Sequence, residues 1–150
     1  MNIEVNMQEI DKLEIADEYL DLAIECFLHT ERFASAIHLA GAAQEIYGKW
    51  LRCNQALDLT TMMLNQLEKY HKENGTDFDR REVIKADKRS KNTLKHMDNK
   101  EDRFTQVNLQ LDAFVLLAET MTEHQMLGRQ MSSRIQEFKE HLLSAREKYS

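Results

Sequence analysis

The chain contains no proline and only four glycines in 150 residues. Those two residues punctuate strands and tight turns, so their scarcity favours long helices. Runs alternating valine, isoleucine, threonine and aromatic residues are also missing, which argues against a sheet. The two cysteines, Cys26 and Cys53, stand alone inside apolar helical patterns. They supply neither a disulfide framework nor a metal knuckle, and read as small buried hydrophobes in a reducing cytoplasm. No stretch approaches the roughly 18 apolar residues a membrane span requires. The opening MNIEVNMQEIDK lacks the basic start and apolar run of a signal peptide. A Gly-rich phosphate loop, a nucleophile elbow and a Cys-His pair at catalytic spacing are all missing. Glu68 and His71 form a single Glu-x-x-His, where a helical di-iron site needs two. The expectation is a cytoplasmic protein without membrane contact, metal or cofactor, forming one all-α domain over residues 1–150.

What is present is helical periodicity. Ile10, Leu13, Leu20, Ile24 and Phe27 recur at three-and-four spacing, which predicts a helix over about 10–29. Thr30 offers an N-cap hydroxyl and Glu31 a first-turn carboxylate for a second helix ending near Cys53. That helix carries Ala36, Ala40 and Ala43 on one face and Gly41 and Gly48 on another, so it is expected at the centre, closely approached by neighbours. Its His38 reads as a core histidine that Glu45 could hold. Leu59, Met63, Leu67 and Tyr70 mark a third helix over about 56–73, closed by Asn74-Gly75. A fourth spans about 80–97. Phe104, Val107, Leu111, Phe114, Ala118 and Met121 mark a fifth. Beyond Gly128, Met131, Ile135, Phe138, Leu142, Ala145 and Tyr149 mark a last helix, expected to pair antiparallel with the fifth. The architecture predicted is an up-and-down bundle of four to five long helices plus a C-terminal helix.

The formal charge is -6, but it is segregated. Arg80 to Lys95 holds Arg80, Arg81, Lys85, Lys88, Arg89, Lys91 and Lys95 against only Glu82 and Asp87. An acidic protein binds nucleic acid only through such a local basic surface. On a helical wheel, Val83, Ala86, Ser90, Leu94 and Met97 form the inward stripe. Arg89, Asn92 and His96, spaced i, i+3, i+7, share an outward face beside Lys85, more than about 100° from the centre of that stripe. A guanidinium and an imidazole two turns apart can reach one phosphodiester. The imidazole can take a proton from a ribose 2′-hydroxyl or give one to the leaving oxygen, and the guanidinium can stabilise the phosphate charge. An amide between them can orient either. The plainer reading of the same residues is a solvated lysine-rich face.

Two stretches resemble the HEPN superfamily of small helical bundles. SAIHLAGAAQEIYGKWL, Ser35 to Leu51, resembles the central helix of a group of bacterial members. RSKNTLKHMD, Arg89 to Asp98, resembles the Arg-to-His motif of active members. In this chain Lys91, not Arg, directly precedes Asn92, so the motif is read from Arg89 with six residues before His96. The resemblance implies a four- or five-helix bundle, a homodimer and, in active members, metal-independent RNA cleavage of toxin or defence type, sometimes restrained by an antitoxin protein. His96 would then be the general acid/base, Arg89 the phosphate stabiliser and Asn92 the orienting group. Lys85, Lys88, Lys91 and Lys95 would steer the RNA backbone. A degenerate member would keep the fold as a dimeric module that binds a protein or nucleic acid without cleaving it.

Overall fold

The computed structural model describes residues 6–148, with side chains through residue 145; Tyr149 lies outside the described residues. These residues form an all-helical bundle without strands: α1 (Lys12–Leu28), α2 (Phe33–Cys53), α3 (Leu59–Glu73), α4 (Arg80–Thr93), α5 (Leu109–Met126) and α6 (Ser133–Lys148), with a short 3-10 turn at Lys100–Arg103. None of these helices is long and apolar enough to cross a membrane.

The bundle is organised around α2, which packs against α1 on one side and α5 on the other. Ala36, Ala40 and Ala43 are fully buried, as their spacing predicts. Small side chains let α1 and α5 approach, and Leu20, Ile24, Ile37 and Leu117 fill the space between. Gly41 and Gly48 are approached by side chains and not by a neighbouring backbone. The Lys91 stem lies over Gly41, where an added Cβ would sit 3.1 Å from Cδ.

Local chemistry sets most helix ends. Asp11, Asp58, Asp79 and Asn108 cap α1, α3, α4 and α5 by accepting first-turn amides. Gly75 closes α3 with φ of 63°, the left-handed conformation glycine adopts without strain. The start of α2 differs from expectation. Thr30 donates its hydroxyl back to the Cys26 carbonyl, Glu31 turns left-handed with φ of 53°, and Arg32 becomes the N-cap.

Several predicted faces are rotated. On α3 only Leu64 is buried, whereas Met63, Leu67 and Tyr70 are exposed. The fifth helix starts at Leu109, so Phe104 lies before it and is exposed; on α5 Leu111 is exposed, and the buried positions are Ala113, Leu116, Leu117, Thr120, Met121, Glu123 and His124. The cause is that α5 is covered on two sides, so its buried arc is wider than one heptad stripe. Helix α6 docks principally on α1, not on α5. Arg134 bridges Asp21 and Glu25 there, and Arg129, just before α6, grips Asp17 with its guanidinium. Asp17 also accepts from the Tyr47 hydroxyl at 2.7 Å, joining α1, α2 and the α5–α6 turn. Burial, reinforced by this hydrogen bond, raises the Tyr47 pKa. Cys26 is half-buried and Cys53 exposed at the end of α2, both as free thiols. His38 is exposed, and Glu45 pairs with Lys49 instead of with it.

Ile135 and Phe138 are the residues with which α6 enters the core. Phe138 is fully buried, edge-on to Phe27 at 5.8 Å and to Phe114 at 5.9 Å between ring centroids. Replacing it with Ala removes this aromatic cluster and leaves a cavity. The expected loss is about 3–5 kcal/mol of stability, read by urea denaturation. A loss under about 1 kcal/mol would mean that α6 is not docked as described.

Candidate functional site

The N-terminus of α4 is held by Asp79, which accepts from the amides of Arg81 and Glu82. Arg80 ties it to α3 through Asn65 and Glu68, at 3.0 and 3.1 Å. The helix then stops at Thr93, short of the expected position 97. The reason lies just beyond it. The Asp102 carboxylate accepts from the amides of Asp98 and Asn99, while the Asn99 side chain accepts from Glu101 and Asp102. This reciprocal cap holds Asn99 extended, with φ of -150° and ψ of 177°, and offers the backbone an alternative to further helix.

The inward face of α4 consists of the half-buried Val83, Ile84, Ser90, Lys91 and Leu94, rotated from the predicted stripe; Ala86, Asp87 and Met97 are exposed. Ser90 donates to Asp112 at 2.5 Å, fastening α4 to α5. Lys91 is mostly buried and donates to Gln44 at 2.8 Å, and Gln44 donates to Glu119 at 3.2 Å. A polar seam thus crosses from α4 through α2 to α5.

Beside this seam lies a groove of about 540 Å³ between α2, α3 and α4, with Glu123 of α5 at its base. On the α2 side the Lys91 stem covers Gly41, and Gly48 lies against the Arg52, Asp58 and Glu123 side chains. Leu64 and Ile84 supply apolar walls, and Lys49, Lys88, Lys91, Asn92 and Lys95 line it with donors. Arg52 and Asp58 form an ion pair on its wall, and Asp58 also caps α3. Glu123 is only 1% exposed. Its Oε1 accepts from the Leu59 amide at 3.1 Å, and its Oε2 is buried without a hydrogen-bond partner. Burial disfavours the charged form and pushes Glu123 up to about 7, with Leu59 opposing and Glu119 adding to the rise. Glu119 is raised too, by burial first and by Asp87 second. At the rim, the hydrogen bond from Lys49 lowers the pKa of Glu45, assisted by the charges of Lys49, Lys95 and Lys88.

The sequence-predicted residues are therefore divided. Asn92, Lys88, Lys91 and Lys95 line the groove; Lys85, Arg89 and His96 do not. Arg89 and His96 are exposed, and His96 lies just past the end of α4. Its amide bonds to the Asn92 carbonyl at 3.2 Å, which keeps it within a turn of α4. Among the described residues, no hydrogen bond or ion pair joins the side chains of Arg89, Asn92 and His96. The same residues contain no cluster of three or more metal-ligating side chains. Sequence reasoning missed Gln44, Arg52, Asp58, Glu119 and Glu123. The available signal was Glu123 itself, a carboxylate at a three-and-four position behind Leu116 and Thr120.

No family model matches this chain, and searches of curated proteins and of solved structures find no match either.

The buried carboxylate makes a prediction about stability. The folded-state pKa of Glu123 is raised from 4.5 to about 7, so between these values the folded protein binds more protons than the unfolded chain. Its stability therefore falls as pH rises across that window. Glu123→Gln removes this dependence. Wild type minus variant should fall by up to about 3 kcal/mol between pH 4.5 and 8, measured by urea denaturation. The comparison isolates Glu123 from the buried His124, whose pKa burial lowers and whose contribution runs in the opposite sense. A pH-independent difference would show that Glu123 is solvated.

Proposed function

We propose that this protein binds single-stranded RNA through the lysine-bearing side of α4 and the groove beside it. The observation that carries the reading is that Lys88, Lys95 and Asn92 converge on one groove in a chain of net charge -6, beside Lys49 and Lys91, which pair with Glu45 and Asp87 of the same lining. Lys88 and Lys95 are exposed and have no ion pair among the described residues, so their charge is free to meet phosphate. Exposed lysines release counterions from a nucleic-acid backbone, which makes binding favourable and salt-dependent. Lys85 and Arg89, on the outer side of α4, extend the positive surface past the groove.

Cleavage of the bound strand is the second reading. It keeps His96 as general acid/base, Arg89 as phosphate stabiliser and Asn92 as the group that orients them. The exposure of His96, one backbone turn past the groove-lining Asn92, supports it. This is the chemistry that the resemblance of Arg89–Asp98 to the HEPN superfamily implies. On that reading the protein works as a homodimer, with an antitoxin protein as a further partner. The exposed stripe of Met63, Leu67 and Tyr70 on α3 is the surface we assign to the second copy.

Three measurements separate these statements. Replacing Lys88 and Lys95 together by Glu should weaken retention of a short single-stranded RNA at least about tenfold and lower the salt slope by about 2. Unchanged retention would remove the groove from the reading. Purified wild type should cut the RNA in the presence of chelator, and His96→Ala should not; uncut RNA with wild type sinks the cleavage reading and leaves binding intact. Leu67→Glu should convert a dimer to a monomer by light scattering, and a monomeric wild type refutes the paired arrangement.

A further inference from the structure

We propose that the base of the groove is a guanine-reading pocket: Glu123 accepts one guanine donor, of the ring N–H and amino pair, at its free Oε2 and the other at Oε1 beside the Leu59 amide, Leu64 and Ile84 flank the ring, and Lys88 and Lys95 meet the phosphate. The inference rests on the RNA-binding reading and names the nucleotide that the same groove selects.

Its starting point is the unpartnered Oε2 of Glu123. A buried carboxylate oxygen without a donor is uncommon, because burial removes water without replacing its hydrogen bonds. Here the oxygen belongs to a side chain that lines a groove open to solvent on one side. A ligand that brings N–H donors down to Glu123 would supply what the protein does not.

The lining selects the class of ligand. Glu45, Asp58 and Asp87 offset Lys49, Arg52 and Lys91 in the lining, and Lys88 and Lys95, without an ion pair among the described residues, remain to disfavour a basic peptide or polyamine, which would otherwise be the natural partner of a buried carboxylate. These two lysines attract a molecule with an anionic end. That molecule must therefore present N–H donors inward and negative charge outward, and a nucleotide does both. The volume of about 540 Å³ falls in the range of small-molecule sites and accommodates one nucleotide. A metal ion is the poorer occupant, because the described residues offer no cluster of three or more ligating side chains.

Among the bases, the donor pattern decides. Guanine presents a ring N–H and an amino N–H side by side, which a carboxylate can accept together. The amino groups of adenine and cytosine stand next to an unprotonated ring nitrogen, an acceptor that would face a carboxylate oxygen. The single ring N–H of uracil lies between two carbonyl oxygens. Only guanine matches a carboxylate without a repulsive contact, and such patterns distinguish bases in single strands read on their Watson–Crick edges.

The test is calorimetric titration of the full chain at about pH 8, where Glu123 is ionised, with GMP, AMP, CMP and UMP. GMP should bind at least about tenfold more tightly than the other three. Glu123→Gln should bring GMP to the level of AMP. Thr61→Trp, which plugs the groove from α3 without altering the carboxylate, should abolish GMP binding in a variant whose helical spectrum is unchanged. Four nucleotides binding within about twofold, a Glu123→Gln variant that keeps the preference, or a folded Thr61→Trp variant that binds GMP normally would each overturn the pocket. Retention of a uridine-only RNA reads the other statement separately. If it persists while GMP does not bind, the pocket falls and RNA binding stands. If GMP binds selectively while no RNA is retained, the pocket stands as a free-nucleotide site and RNA binding falls.

Discussion

The structure depends on the close burial of α2 between α1 and α5. Ala36, Ala40 and Ala43 bring the three helices together, and the larger Leu20, Ile24, Ile37 and Leu117 pack around them. Because α2 is covered on two sides, most of its length is committed to packing, and the polar groups it carries must be satisfied inside the bundle. Gln44 meets this requirement by accepting from Lys91 of α4 and donating to Glu119 of α5. The packing of α2 thus determines where α4 lies, and with it the placement of the basic segment.

The seam also explains why the groove is polar. Lys91 spends most of its side chain over Gly41, a position without Cβ, and this draws α4 towards α2 along one edge. On the other edge Asp58 caps α3 and pairs with Arg52, which ties the start of α3 to the end of α2 beside Glu123. The resulting cleft combines a buried carboxylate with cations that remain near solvent. Such an arrangement does little for stability, since the desolvation of Glu123 is uncompensated at Oε2. Groups held at such a cost are characteristic of binding and catalytic sites.

The early end of α4 has a comparable consequence. An Arg89–Asn92–His96 face requires helix through position 96, whereas α4 ends at Thr93 and the His96 amide keeps one helical bond, to the Asn92 carbonyl. Arg89 stays on the outer side of α4, and His96 belongs to the segment that follows. The basic surface survives this change because its lysines lie within or just beyond the helix. A catalytic pair would depend on the conformation of residues 94–99, where the backbone is held by turn and cap hydrogen bonds.

The all-helical class, the existence of five of the six helices within a few residues, and the central position of α2 were legible in the sequence. Each follows from local terms: the scarcity of proline and glycine, the three-and-four spacing of apolar residues, and the Asn74-Gly75 stop of α3. The lysines of α4 were legible as a basic surface for the same reason. What only the tertiary structure decided is which faces are buried. The apolar stripe of α3 stays exposed, the buried arc of α5 takes in Glu123 and His124, and the inward face of α4 is turned so that Lys91 points into the bundle. These outcomes rest on partners far apart in the chain, Gln44 with Glu119 and Leu59 with Glu123. Periodicity records that a helix has an apolar side; the neighbours that meet it, and the hydrogen bonds its polar groups can find there, decide how far it turns.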